Sequence, residues 1–194
     1  MEGIMASAAA QTRLTPEEYI TFERKAPFKN EFIKGEIVAM SGASRAHNRI
    51  TGDVFNAISN QLVGTECEAF IGDMRVKAGT TASYFYPDVV VACNELRFED
   101  DVFDTLLNPI IVVEVLSPST ETDDQGEKFN RYRQLTSLQE YILISQDKVR
   151  VEHYLRRETE WIPTEFRELT DVLPLISIDC TLPLQDIYRR VTLS

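Results

Sequence analysis

The segment Ile110–Leu116, "IIVVEVL", constrains this chain more than any other stretch. Six of its seven residues are apolar and most are β-branched, the pattern of a strand buried on both faces of a sheet. Glu114 interrupts it. An ionised carboxylate buried without a partner costs more free energy than the packing of one residue returns. A salt bridge, a retained proton or a bound cation would each resolve that cost. The fold must therefore carry this strand through its core and bring a partner to Glu114.

A second acid narrows the choice. In "YFYPDVVVAC", Asp88 follows Pro87 at the head of another apolar strand, a place where proline is tolerated. If the two strands are neighbours, Asp88 and Glu114 converge on one point. Two carboxylates at close range repel unless a proton or a divalent metal lies between them. Mg²⁺ takes oxygen ligands and keeps several waters, and Mn²⁺ suits the same ligands. Asp88, Glu114 and a strand carbonyl, that of Val115, would leave positions for water and a phosphate oxygen. Lys128, with Arg131 and Tyr132 three and four residues on, presents one helix face. An ammonium beside such an ion orients water or stabilises charge on a phosphate.

The rest of the chain reads as alternating helices and strands. "LTPEEYITFE" carries an N-cap at Thr15, Pro16 in the first turn and a capping-box Glu18, which predicts a helix to about Glu23. "NEFIKGEIVAM" predicts a hairpin turning at Lys34-Gly35. Ile50, Val54, Phe55, Ile58 and Leu62 recur at helical spacing between Ser44 and Leu62, with His47 in the first turn. Strands are expected at Cys67–Ile71, Met74–Ala78 and Tyr84–Cys93, then a charged connection with a short helix, then Ile110–Leu116. "SPST" reads as a turn into a helix N-cap, and the helix runs through Phe129, Tyr132 and Leu135. "EYILIS" and "VRVEHYL" form a hairpin, "WIPTEF" adds a strand, and a short C-terminal tail follows. The order implies an α/β or α+β domain with a mixed sheet over residues 14–194, preceded by a flexible tail at 1–13.

Composition limits the function classes. The net charge of −11 speaks against a strongly basic nucleic-acid binder. It is compatible with a carboxylate site, which is acidic until its metal binds. The three cysteines, Cys67, Cys93 and Cys180, form no C-x-x-C pair, which argues against a zinc ribbon or disulfide framework and suits a reducing cytoplasm. No signal peptide or membrane-spanning run is evident. Ser117 and Ser119 lack the G-x-S-x-G context of a serine hydrolase, and no phosphate-binding glycine loop is present.

From Asp88 through "VVEVLSPST" to Lys128, Tyr132 and "EYILIS", the chain resembles the Uma-two family of restriction-endonuclease-like proteins, within the PD-(D/E)XK nuclease superfamily. "NEFIKGEIVAMSGAS", with Glu31 and Gly35, and His47 beyond it, resembles that family's opening, and the likeness runs from about Leu14 to Leu184. The resemblance implies a restriction-endonuclease-like fold, a central mixed sheet flanked by helices. It implies Asp88 and Glu114 as metal ligands and a product with a 5′-phosphate. The superfamily's lysine belongs two residues after the acid, where this chain has Leu116, so Lys128 takes that part.

Each residue also has a plainer reading. Glu114 fits a buried ion pair with Lys128 or an arginine, Asp88 a turn residue after proline, and Lys128 a solvated helix lysine. Glu31 fits a hairpin charge rather than a second acid near the metal, and His47 an exposed first-turn histidine rather than a general base or a group supporting the ligands. Arg131, Arg133, Lys148, Arg150, Arg156 and Arg157 are phosphate contacts or solvated faces. Two functions follow: an Mg²⁺-dependent DNA endonuclease, for which a homodimer would suit double-strand cutting, or a non-catalytic module of the same fold that binds DNA or protein or dimerises.

Overall fold

Alternation and capping place the first elements where the sequence puts them. In the computed structural model, which describes residues 13–117 and 124–193, helix α1 (Pro16–Glu23) starts at Thr15 with both capping-box hydrogen bonds formed. Hairpin strands β1 (Asn30–Ile33) and β2 (Glu36–Ala39) turn through Lys34 and Gly35, at φ of 54° and 90°. Two successive positive φ values define the turn whose twist matches a hairpin, and glycine takes the second without strain. Helix α2 (Arg45–Gln61) is capped by Ser44 and buries Ile50, Val54 and Ile58 along one stripe.

Strands β3 (Cys67–Ile71), β4 (Arg75–Ala78), β5 (Ser83–Phe85), β6 (Val89–Cys93), β7 (Thr105–Leu106) and β8 (Ile111–Leu116) follow. A π-helical turn (Asp124–Lys128) leads into the one-turn helix α3 (Phe129–Tyr132). Strands β9 (Glu140–Ser145), β10 (Val151–Arg157), β11 (Glu160–Phe166), β12 (Val172–Leu175) and β13 (Cys180–Pro183), then helix α4 (Leu184–Ile187), complete the described order. The expected N-terminal tail, short of Arg13, and the Pro118-Ser119-Thr120 turn lie outside the described residues.

A six-stranded mixed sheet, ordered β11-β10-β9-β8-β6-β3, holds β8 near its middle, parallel to β9 and antiparallel to β6. All six residues of β8 are buried. Val113 and Val115 pack with α2, the β12–β13 hairpin and α4. Val112 and Leu116 face the other way, against Phe85, Phe129 and Tyr132. A second sheet, β2-β1-β5-β4-β7, covers that side. Tyr19, Phe32 and Tyr84 form a smaller aromatic cluster beneath α1.

Four expectations need correction. The stretch read as one strand from Tyr84 to Cys93 is two, β5 and β6, in different sheets. Pro87, which has no N–H to give a ladder, lies at the break. The charged connection carries β7 rather than a short helix. The helix expected after "SPST" is, where described, the π-helical turn and one turn of α-helix. The C-terminal "tail" is core: Leu173, Leu175, Leu182, Leu184 and Ile187 are buried against the six-stranded sheet's α2 side.

The cysteines also depart from expectation. Cys67 and Cys93 are direct cross-strand partners on β3 and β6 and form a disulfide, while Cys180 is free and buried. A separation of 26 residues in sequence hides a pairing that strand register creates. Among the described residues no helix is long and apolar enough to cross a membrane.

Candidate active site

Strand register brings the two acids together. Strands β6 and β8 pair as Val91↔Ile111, Val90↔Val112 and Val89↔Val113. One step further in the same register places Asp88 opposite Glu114. The ladder gives way there to a side-chain bond: the Val115 N–H donates to Asp88 Oδ2 at 2.7 Å. The Asp88 carbonyl accepts from the Gly72 N–H at 3.0 Å, so its backbone is also tied toward β3. In a strand, the N–H and C=O of one residue face the same edge. The Val115 carbonyl therefore faces the edge that meets Asp88.

Glu114 is 4% exposed, on the face of β8 away from α2. Lys128 Nζ lies 3.7 Å from its Oε1, and the Tyr132 hydroxyl lies at 3.5 Å. The same ammonium is 2.9 Å from Oε1 of Glu31, which β1 carries into the interior. It also sits over the Phe85 ring. Lys128 is thus a buried cation between two carboxylates, not a solvated helix lysine. Arg131, expected on the same face, instead pairs with Glu127 and reaches the Thr81 carbonyl.

His47 closes the opposite wall. The first turn of α2 is fixed by the Ser44 cap on the His47 N–H and by the Ser44 hydroxyl, which donates to Gln146 in the turn after β9. From there His47 Nε2 reaches Asp88 Oδ2 at 3.2 Å. Both side chains are about five-sixths buried, at 17% exposure. His47 is accordingly turned into the site and not out to solvent.

Glu31, His47, Asp88, Glu114, Val115 and Lys128 all line one cavity of about 1090 Å³. Every site residue singled out in the sequence is on its wall. Arg131, Arg133, Lys148, Arg150, Arg156 and Arg157 are not among the described lining. Arg150 is held by Glu152 and Glu165, and Arg156 by the carbonyls of Arg133 and Leu135.

The cavity adds residues that the sequence did not mark. Tyr86, two positions before Asp88, lines it and hydrogen-bonds to Arg75 and Glu23. Burial pushes its hydroxyl up to about 12. Thr51 lies one turn after His47, is 8% exposed, and its hydroxyl has no hydrogen-bond partner among the described residues. Glu127 is clamped by Lys34 and Arg131, whose hydrogen bonds hold its carboxyl below the ordinary range. Strand period two and helical spacing of four were the available signals for Tyr86 and Thr51. Neither signal says which face meets a cavity.

The donor set fits a hard divalent cation. Asp88, Glu114 and Glu31 offer carboxylate oxygens, and Val115 offers a carbonyl toward the same edge. Among the described residues no three His, Cys, Asp or Glu side chains are grouped closely enough to hold an ion by themselves. An ion here would take two carboxylates and complete its shell with water, a coordination common for Mg²⁺.

Residues 16–185 match the Uma2 family, described as "Putative restriction endonuclease". The chain belongs to the Uma2 family. Two uncharacterized proteins of Synechocystis sp. are similar to it. One is 40% identical over 162 residues, spanning 83% of this chain and 92% of the relative. The other is 35% identical over 178 residues, spanning 91% and 92%. Among solved structures, a protein of Anabaena variabilis described as a putative nuclease of DUF820 shares the fold. It has a TM-score of 0.74 at 18% identity, covering 91% of this chain and 98% of that one. The expected family and the mixed-sheet, nuclease-like fold of the Uma2 chain are thereby both borne out.

Proposed function

We propose that this Uma2 protein is a divalent-metal-dependent endonuclease that hydrolyses phosphodiester bonds in DNA. Family and fold support a nuclease. The observation that carries the finer reading is the convergence of Asp88, Glu114 and Glu31 on one cavity, with the buried ammonium of Lys128 between Glu31 and Glu114. Glu31 and Glu114 share that ammonium, and Asp88 lines the same cavity beside His47, a concentration of carboxylates that suits a divalent cation.

Asp88, Glu114 and the Val115 carbonyl would hold Mg²⁺ or Mn²⁺. The ion would supply Lewis acidity toward the phosphate and lower the pKa of a water. The chain's own groups do the rest. The Val115 N–H and His47 fix the rotamer of Asp88, so its remaining oxygen is aimed before substrate arrives. His47 is a positioning residue in this scheme. Lys128 stabilises charge that develops on the phosphate, and Glu31 and the Phe85 ring hold that ammonium in place. The Tyr132 hydroxyl donates to the same Glu114 oxygen that Lys128 approaches.

The test is cleavage of circular single-stranded and supercoiled double-stranded DNA by the full chain, with Mg²⁺ and with EDTA. Asp88→Asn and Glu114→Gln are each expected to lower Mg²⁺-dependent cleavage at least about 100-fold while the melting temperature stays within a few degrees. Cleavage that persists in either variant contradicts the assignment. A wild-type chain that binds DNA without cutting it is a binding module instead.

A further inference from the structure

The cavity is larger and less polar at its mouth than an ion and a phosphate require. At about 1090 Å³ it has the size of a site for a whole small organic ligand. Its lip is apolar: Phe28 is 77% exposed, Val38 45% and Ile71 41%, and all three line the cavity. A single exposed apolar residue is ordinary, but three around one mouth mark a contact surface.

Phe28 is exposed on an anchored backbone. Its carbonyl accepts from Asn30 Nδ2 at 2.8 Å, and the Asn30 N–H is held by buried Glu23 at 2.8 Å. Next to it, the Lys29 carbonyl accepts from the Met40 N–H at 3.0 Å. Lys29 Nζ binds the Gly72 carbonyl and Asp73. The backbone that presents the ring is therefore held in place.

The charges point to the same ligand. Gripping a duplex means neutralising phosphates on two strands with lysine and arginine. The chain carries a net charge of −11, and the described lining contains no arginine. Its two lysines, Lys29 and Lys128, are already engaged with Asp73 and Glu31. A single strand brings the phosphates of one strand instead of two, stacking of its bases on an aromatic face adds affinity, and only unpaired bases offer that face. Deeper in, the Thr51 hydroxyl, buried and without a hydrogen-bond partner among the described residues, is available to a phosphate oxygen or base edge.

We infer that the cavity takes single-stranded DNA, with a nucleobase beside the reacting phosphate stacked on Phe28. This rests on the nuclease reading and adds its substrate class. A second protein chain on the same lip is the competing occupant. The lip is favoured as a base platform because it is continuous with the carboxylate cavity.

Binding is measured by fluorescence anisotropy with the full chain, Ca²⁺ replacing Mg²⁺, on a labelled 20-nucleotide strand, its duplex and an abasic version of the strand. The strand is expected to bind more tightly than the duplex or the abasic strand. Phe28→Ala should lose about tenfold in affinity for the strand, and Phe28→Trp should keep it. If Phe28→Ala binds as tightly as the wild type, or the abasic strand as tightly as the intact one, the inference fails and the nuclease reading stands. If no DNA binds, both fail. If Phe28→Ala changes the sedimentation of the free protein from dimer to monomer, the lip is a protein interface and the inference is overturned.

Discussion

At the residue scale, the buried acid in the apolar strand was the most informative signal, and its partner is now specific. Lys128 serves Glu31 at 2.9 Å and Glu114 at 3.7 Å. Lys128→Met should leave both acids without that charge. It is expected to lower cleavage at least about 100-fold and to cost stability, about 3 kcal/mol for breaking a buried pair. Lys128→Arg should recover stability more than cleavage, because a planar fork replaces a point charge. Equal recovery of both contradicts the catalytic part of its role. A separate ion network gives a pH signature. Asp104 is held at about 2, below its ordinary 3.8, chiefly by a hydrogen bond from Arg24, with Arg75 beside it. A carboxyl that holds its proton less tightly when folded adds stability above about pH 4, and this is lost as pH falls toward 2. Asp104→Asn should therefore lower stability at pH 7 by about 1 kcal/mol, and thermal melts of variant and wild type should converge near pH 2. A gap unchanged between those two pH values contradicts the network's role.

At the element scale, local pattern located most elements, while register decided the site. Capping residues, the Lys34-Gly35 turn and the α2 stripe were legible because each depends on residues within one or two turns. Asp88 and Glu114 were legible as acids at strand ends, but their meeting depends on β6 and β8 pairing in one register. That fact is set by long-range packing. The same limit hid the disulfide: nothing near Cys67 or Cys93 in sequence says that β3 and β6 align them. Thiol titration of the denatured, unreduced chain should give one free thiol, that of Cys180, and three after reduction. Three thiols before reduction contradict the pairing. Composition could not show that Arg131, Arg150 and Arg156 would be spent on neighbouring carboxylates and carbonyls instead of on the cavity.

At the scale of the whole molecule, two faces of one sheet divide the work. The α2 side is packed by the C-terminal hairpin and helix, while on the other side Glu114 meets Lys128, which also pairs with Glu31 of the second sheet. The C-terminal residues were misread as a tail because β12, β13 and α4 are each only four residues long, too short for periodicity to register. Leu182→Ala should cost about 2–5 kcal/mol in denaturant unfolding, and a change under about 0.5 kcal/mol, typical of a surface site, contradicts its place in the core. The central claim is that acids 26 residues apart hold one divalent ion between two paired strands. Titration of Mn²⁺ into the full chain, followed by electron paramagnetic resonance, tests it most directly. The account predicts binding that Asp88→Asn and Glu114→Gln each abolish while the fold persists. Mn²⁺ bound equally well by wild type and both variants, or by none of them, would contradict it.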